Sequence, residues 1–213
     1  MISCAATQQK IDYLLQTDPR YPRSLSVLGN RIPESIATLG NVDVLGESSL
    51  ALFCSVKCPG SLILKMYDLA QKLRETNVTV IGGFHSPVER ECLNVLLKSN
   101  NKVIICPARG IESMRIPSVY REPLSQGRLL LLSPFSEKQR QGNALMAERR
   151  NRFVAALSKR VFVAYAAPGS KTERLCREII EWRKPVFTFE SAVTQNIIRI
   201  GAVAESLFAD PAG

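Results

Sequence analysis

Histidine occurs only once in this chain, as His85. A closed zinc site of four cysteine or histidine ligands therefore lacks its usual partners, although Cys54 and Cys58 have a spacing that some metal sites use. The sequence has no uninterrupted run of about 18 apolar residues, the length that crosses a bilayer. Its N-terminal segment, with Lys10 and Asp12, also lacks the apolar stretch of a signal peptide. These absences predict a soluble, cytoplasmic protein without a bound metal or a membrane partner.

Acidic residues are scarce relative to basic ones, with 19 Asp and Glu against 28 Lys and Arg. The formal net charge of +9 favours a polyanion such as nucleic acid, an acidic membrane surface or a phosphorylated small molecule, and does not choose among them. Hydrophobic residues make up 46% and charged residues 22%, which is typical of a globular protein. We therefore expect one sizeable core with a small attached segment.

Short apolar runs alternate with helix-length amphipathic runs from about residue 50 onward, as βα units do around a mostly parallel sheet. Strands are predicted at residues 49–54, 78–82, 102–106, 129–133, 161–165 and 185–189. Helices are predicted at residues 61–76, 86–99, 118–126, 140–159 and 170–182. We predict an α/β domain over residues 47–213, with helices on both faces of the sheet. A proline-containing lead-in, residues 1–46, carries one predicted strand and packs on that domain.

Three loops follow predicted strands and precede predicted helices, at residues 55–61, 82–87 and 167–173. At such places the unpaired backbone N–H groups of helix N-termini point into a crevice and favour anions. We expect the three loops to lie on one rim of the sheet around a shared anion site. They supply the candidate ligand-binding residues Lys57, Gly60, Ser61, Gly82, Gly83, His85, Gly169, Ser170, Lys171 and Thr172.

The first two loops have a functional and a structural interpretation. Lys57 offers a point charge to a phosphate, but the loop equally fits a plain turn in which Ser61 caps the next helix. Residues 82 and 83, both glycine, permit a ligand to approach the backbone closely. No nucleophile pattern or paired acid accompanies His85, so we predict that it contacts a ligand or caps a helix and that the site has no catalytic residue.

The third loop resembles a phosphate cradle over residues 169–172. Ser170 and Glu173 also match the capping box S-x-x-E, which explains half of the loop by structure alone. The full P-loop spacing G-x-x-x-x-G-K-[ST] is absent, so the loop does not predict a nucleoside triphosphatase.

The order of these features resembles the DNA-processing protein A family (DprA, also called Smf). Tyr21-Pro22 and the segment Leu39-Gly40-Asn41 resemble the family's YP-x-x-L opening, and residues 150–158, RNRFVAALS, are close to its RNR-I-I-A-G-L-S motif. The loop at residues 167–173 falls where the family has a glycine-serine loop, and the match covers roughly residues 18 to 190. The resemblance implies an extended Rossmann-like fold, related to the nucleotide-binding SMF/LOG group.

The resemblance also implies a function, in which a basic pocket on the sheet holds single-stranded DNA and passes it to a RecA-type recombinase during DNA uptake. The RNR segment lies at the edge of that pocket, so Arg150, Asn151 and Arg152 become candidate DNA contacts. Arginine suits this role because its fork satisfies phosphate oxygens in pairs. No cofactor and no catalysis are implied, and a homodimer is left open.

Three alternatives remain. The arginines at residues 149–152 also fit a solvated helix face. Second, residues 168–173 partly match P-G-G-x-G-T-x-x-E, the signature of LOG-type nucleotide-cleaving enzymes. The third alternative is a sensor that binds a nucleotide. Two loops depart from the DprA pattern, since Ser55-Val56-Lys57 replaces G-x-R and residues 82–87 keep the glycines of S-G-x-A-x-G-I-D but lack its aspartate. We expect these departures to alter the ligand pocket.

Overall fold

The computed structural model describes residues 10–204. Its strands are β1 Asp12–Leu15, β2 Ser35–Gly40, β3 Ser49–Cys54, β4 Thr79–Gly82, β5 Val103–Ile105, β6 Leu129–Ser133, β7 Arg160–Tyr165, β8 Val186–Thr188 and β9 Val203–Ala204. Its α-helices are α1 Gly60–Leu73, α2 Pro87–Leu97, α3 Ser118–Ser125, α4 Ala144–Leu157, α5 Lys171–Glu181 and α6 Gln195–Arg199. Short 3-10 helices span Arg23–Arg31, Val42–Gly46 and Ala192–Thr194. The predicted strands and helices from residue 49 onward are all present, with ends shifted by a few residues.

These strands form one sheet in the order β1-β2-β6-β5-β4-β3-β7-β8-β9. The strands from β6 to β9 in this order are mutually parallel, whereas β2 pairs antiparallel with both β1 and β6. The mostly parallel α/β architecture predicted from the sequence is therefore confirmed. The lead-in adds β1 and β2 to the edge of the same sheet, and the proposed boundary between residues 46 and 47 stays a prediction.

The two faces of the sheet are covered by different helices. In β3, Leu50 and Leu52 pack with α1, α2 and α3, whereas Ala51 and Phe53 pack with α4 and α5, because successive strand side chains point to opposite faces. Every residue of β3 is buried, as expected for a parallel strand covered on both sides. The core thus has two layers, one on each side of β3 and its neighbours.

The middle of the sheet contains a topological switch. From β3 the chain adds β4, β5 and β6 in one direction, and α4 then carries it back past β3 to β7. The carboxyl ends of β5, β4, β3 and β7 consequently lie side by side on one rim. In open α/β sheets, this is the rim where ligands bind.

Helix α4 is anchored at both ends by side chains. The Asn143 side chain accepts a hydrogen bond from the backbone N–H of Met146 at its start. At its end, Lys184 Nζ donates to the carbonyl oxygens of Ala155 and Ser158, at 2.8 and 2.7 Å, and to that of Ala156. Burial lowers the pKa of Lys184 to about 8. These contacts fix the orientation of the helix that carries the RNR segment.

No helix within residues 10–204 combines the length and apolarity needed to span a bilayer. In the same part of the chain, no three histidine, cysteine or acidic side chains form a group that can hold a metal ion.

Candidate functional site

The three loops singled out in the sequence follow β3, β4 and β7, which are neighbours in the sheet. Because these strands are parallel, their carboxyl ends and the loops that follow them share one rim. The prediction that Lys57, Gly83 and Ser170 lie on the same rim is confirmed. Whether they form one anion site depends on which side chains converge there.

A cleft of about 640 Å³ opens on this rim between the β4–α2 loop, the β5–α3 loop and the start of α4. Its walls come from four segments, namely Gly83, Phe84 and His85 after β4, Arg90 in α2, Pro107, Ala108 and Arg109 after β5, and Gly142, Asn143, Ala144, Ala147 and Arg150 at α4. Of the candidate residues, Gly83, His85 and Arg150 line this cleft. Arg90 and Arg109 were not predicted.

The cleft is strongly electropositive. Arg90, Arg109 and Arg150 line it, together with His85, and no carboxylate is among its lining residues. The N-terminus of α4 also faces the cleft, since its N-cap Asn143 and first residue Ala144 are among the lining residues. The helix dipole adds partial positive charge at this end. The arrangement favours an anion with several charges.

Two of these arginines lie outside the sequence motifs. Arg109 lies in the loop after β5, whose single glycine, Gly110, forms no recognisable phosphate-binding motif. Arg90 stands in the first turns of α2 and is exposed. A general rule of the fold would have pointed to both arginines, since every strand-to-helix loop of a parallel sheet opens on the same rim.

Arg150 has a different position from the one expected of a residue that meets a phosphate directly. It is 4% exposed, and its Nη1 donates a hydrogen bond of 2.9 Å to the carbonyl oxygen of Cys106 at the end of β5. Its Nε donates to Oδ1 of Asn151 at 2.7 Å. Burial lowers the pKa of Arg150, while the charge of Glu89 opposes the shift. Arg150 thus lines the cleft along one edge. Its two side-chain hydrogen bonds are made to Cys106 and Asn151, within the protein.

The glycine at residue 83 is explained by Arg150. A Cβ atom at Gly83 would overlap the Arg150 guanidinium. The close approach predicted at this glycine is therefore made by a side chain of the protein itself. Gly82 is buried against the Phe84 ring, whose nearest atom is 3.0 Å from the position of a Cβ.

Phe84 adopts φ of 47°, in the left-handed region that residues other than glycine rarely use. Its ring is buried, 5% exposed, and the strained residue turns the chain so that His85 is exposed in the cleft. Backbone strain of this kind persists where the surroundings enforce it, and it is concentrated at functional sites.

The Glu89 carboxylate holds this strained loop in place. Its Oε1 accepts from the backbone N–H of Cys54 at 2.9 Å, and its Oε2 accepts from His85 and Ser86 at 2.9 and 3.3 Å. Burial raises the pKa of Glu89, and these N–H donors and the charge of Arg150 oppose the shift. Glu89 links the start of α2 to the end of β3 and to the strained loop.

Glu89 also corrects the prediction that this loop lacks an acid. Counted from Gly83, it stands six residues on, where S-G-x-A-x-G-I-D has its aspartate. The sequence contained the signal, because Ser86-Pro87-Val88-Glu89 is a capping box, and both of its hydrogen bonds form.

The loop after β3 contributes less than expected. Helix α1 begins at Gly60 without a side-chain cap, so the prediction that Ser61 caps it was wrong, because Ser61 already lies within the first turn. Lys57 is exposed. None of these three residues lines the cleft.

The phosphate cradle predicted at residues 169–172 is occupied by the chain itself. Glu173 Oε2 accepts from the backbone N–H of Gly169 at 2.8 Å, while Ser170 Oγ accepts from the backbone N–H of Glu173 at 3.2 Å. Glu173 Oε1 accepts from Asn196 at 2.6 Å. The capping interpretation accounts for Ser170, and the backbone N–H of Gly169 is already paired with the Glu173 carboxylate.

The remaining residues of this loop do not reach the cleft. Lys171 forms an ion pair of 2.6 Å with Glu148 in α4, which lowers the pKa of that carboxyl. Thr172 makes no side-chain hydrogen bond within residues 10–204. Their role as ligand contacts stays a prediction.

Arg152 lies on the other side of α4 from Arg150, because two positions along a helix turn the side chain by about 200°. Its Nε donates to Oε2 of Glu178 in α5 at 2.6 Å. Arg152 therefore does not line the cleft with Arg150, and its role as a DNA contact stays a prediction. Asn151 contacts Arg150 and does not line the cleft.

Comparison with known proteins identifies the family. The model of the family described as DNA recombination-mediator protein A matches residues 12–205. Protein Smf of Synechocystis sp. is 23% identical over 194 residues, which cover 87% of this chain and 47% of that protein. The chain thus spans about half the length of this curated relative.

Solved structures share the fold. DNA processing protein A from Streptococcus pneumoniae superimposes with a TM-score of 0.76 at 22% identity, covering 92% of this chain and 71% of that one. The Helicobacter pylori protein, described for its single-stranded DNA binding mode, gives 0.75 at 19% identity, covering 94% and 92%. A molybdenum cofactor binding protein from Rippkaea orientalis gives 0.53 at 11% identity, covering 75% and 90%. With a Rossmann-like fold and a family match that runs from β1 past β9, the chain belongs to the DNA recombination-mediator protein A family.

Proposed function

We propose that this protein binds single-stranded DNA in the cleft between α2, the β5–α3 loop and α4, and that it does so without catalysing a reaction. The observation that carries the proposal is the lining of the cleft. Three arginines, the single histidine and a helix N-terminus face one open space, and no carboxylate lines it. Such a surface suits a ligand that carries a row of phosphates.

The accessible cations are Arg90 and Arg109, since Arg150 is buried. An arginine fork can satisfy two oxygens of one phosphate, and this contact does not depend on the base. Backbone binding of this kind fits a protein that must accept any strand. The membership in a recombination-mediator family and the described activity of the Helicobacter pylori relative point the same way.

The lining of the cleft also favours binding without catalysis. It has no serine or cysteine to act as a nucleophile, and Glu89, the acid next to His85, accepts from the His85 backbone N–H and does not line the cleft. Binding does not need either. The transfer of the strand to a RecA-type recombinase, and a homodimer, are part of the proposal on the strength of the family resemblance alone.

The proposal is tested by titrating labelled oligo-dT at several salt concentrations. Arg90→Ala and Arg109→Ala should each weaken binding and reduce the slope of log K against log salt by about 0.7, the value for one phosphate contact on a single strand. Lys98→Ala is the matched control, because Lys98 is also exposed but follows the last residue of α2. That helix has 11 residues, so its two ends are about 16 Å apart.

Two results would contradict the proposal. If Lys98→Ala lowers affinity and slope as much as Arg109→Ala, the attraction is a general effect of net charge. If mononucleotides bind with little dependence on salt, or if nucleoside monophosphates are cleaved by the purified protein, the cleft holds a small ligand. The latter outcome would favour the nucleotide-cleaving alternative.

A further inference from the structure

Arg90 lines a second recess besides the cleft. This recess is a groove of about 510 Å³ between α2, the start of α3 and one residue of α1. Its walls are mainly apolar and include Ile63, Leu93, Pro117, Val119 and Tyr120. We refer to it as the side groove. Because Arg90 belongs to both recesses, the side groove adjoins the cleft at this side chain.

The side groove offers open volume and accessible apolar surface. Val119 is 61% exposed and Ile63 is 43% exposed. Pro117 is exposed as well, and Tyr120 is half-buried. The volume lies within the range of about 300–1,000 Å³ that is typical of small-ligand pockets. A planar base can cover such a surface, and Tyr120 supplies a ring on which a base can stack.

The charges of the side groove nearly cancel. Among its lining residues within the described part of the chain, Arg90 is the one cation and Glu91 the one carboxylate. The side groove therefore does not attract a row of phosphates as the cleft does. It suits the base of a nucleotide whose phosphate stays on Arg90. Stacking and apolar contact accept any base, as binding without sequence preference requires.

The position of Arg90 favours a DNA strand as the occupant. A strand has a phosphate between each two nucleotides, so a phosphate held by Arg90 places one neighbour in the cleft and the next at the side groove. A protein segment in the side groove would have to compete with that strand for Arg90. Continuity with the cleft thus selects the same ligand for both recesses.

We propose that the DNA strand leaves the cleft through the side groove, with one base against Val119 and Tyr120 and the adjoining phosphate on Arg90. This subsite rests on the proposed function of the cleft. Its consequence is a dependence on strand length, because a short strand that fills the cleft does not reach Val119 and a longer one does.

The test compares oligo-dT of about 4 and about 16 nucleotides, the range of site sizes of single-strand binding folds. Val119→Asp should weaken binding of the long strand about fivefold, the effect of two unit charges about 4 Å apart in water, and leave the short strand unchanged. Val119 is the second residue of α3, where a carboxylate is compatible with the helix N-terminus. Val193→Asp is the control, because Val193 is also exposed, at 41%, and lines neither recess.

A second variant should have the opposite effect. Glu91→Gln removes the carboxylate of the side groove and should tighten binding of the long strand about threefold, again without a change for the short strand. Glu75→Gln is its control, because Glu75 is exposed and lines neither recess. Arg90→Ala should weaken both lengths, since Arg90 also lines the cleft.

A direct readout is crosslinking by a long strand that carries 5-iododeoxyuridine, which should mark a peptide containing Tyr120. Equal effects of Val119→Asp on both lengths, or no effect on either, would overturn the subsite and leave the cleft intact. If Val119→Asp changes the sedimentation of the protein alone and not its DNA binding, the side groove holds a second copy of the chain and the subsite is also overturned. Failure of the unaltered protein to bind either strand would overturn the proposed function and the subsite together.

Discussion

Gly83 is the position where the structure makes its sharpest energetic prediction. The backbone φ of Gly83 lies outside the left-handed region, so alanine is compatible with the chain conformation. The added methyl group would nevertheless overlap the guanidinium of Arg150. Gly83→Ala must therefore displace Arg150, which is buried and cannot move into solvent without breaking its bond to Cys106.

The magnitude follows from these contacts. The lost hydrogen bond from a charged donor to the Cys106 carbonyl costs about 1.5–3 kcal/mol. Overpacking around the displaced guanidinium costs about 1–3 kcal/mol more. We expect Gly83→Ala to lower the free energy of unfolding by about 3–5 kcal/mol. At about 2–4 °C per kcal/mol for a chain of this size, the melting temperature should fall by about 10 °C.

The assay is urea denaturation of the members of a double-mutant cycle. Arg150→Ala removes the obstructing side chain, so Gly83→Ala should cost little in that background and the coupling between the two substitutions should be about 3 kcal/mol. Gly60→Ala is the control, because a Cβ at Gly60 meets no atom within 4 Å and the residue begins a helix. That substitution should leave stability unchanged within about 0.5 kcal/mol.

Additive effects of Gly83→Ala and Arg150→Ala would refute this reasoning, because they would mean that the two residues do not compete for one space. A cost below about 1 kcal/mol for Gly83→Ala alone would do the same. If Gly83→Ala instead abolished DNA binding without a loss of stability, the glycine would be reserved for the ligand, as the sequence first indicated.

Three further substitutions probe the rim and its support. Lys184→Met should destabilise the protein by about 2–4 kcal/mol, because it leaves the α4 carbonyls unpaired. The pKa of Lys184 is about 8 in the folded protein and 10.5 ordinarily, so between these pH values the unfolded chain binds more protons and the unaltered protein gains stability with pH. Thermal melts should therefore show the stability difference between the unaltered protein and Lys184→Met growing from pH 8 to 10.5. Ser86→Ala removes an N-cap of α2 and should cost about 1 kcal/mol in urea denaturation, whereas no change would mean that Glu89 alone holds the turn. Lys57→Glu should weaken oligo-dT binding more than Lys98→Glu, since Lys57 lies on the same rim of the sheet as the cleft and Lys98 at the far end of α2; equal losses would separate Lys57 from the strand.

Local features of the sequence determined the elements of this fold. After Ser49, the run from residue 50 to residue 54 is apolar and is followed by Ser55, which was sufficient to identify a strand covered on both faces. The stripe of apolar residues at residues 62–73 identified α1 for the same reason, since periodicity depends on near neighbours in the chain. The RNR motif identified the family, because a motif needs no knowledge of what its residues contact.

The composition of the site was decided by tertiary structure. Arg90 and Arg109 meet in one cleft because β4 and β5 are adjacent strands, a pairing that no local pattern specifies. Arg150 was predicted as a ligand contact, and it is buried because Gly83 and the end of β5 form a space for it. Arginine has the same intrinsic chemistry in both settings. Burial and partners, which come from residues distant in sequence, decide whether its charge serves a ligand or the fold.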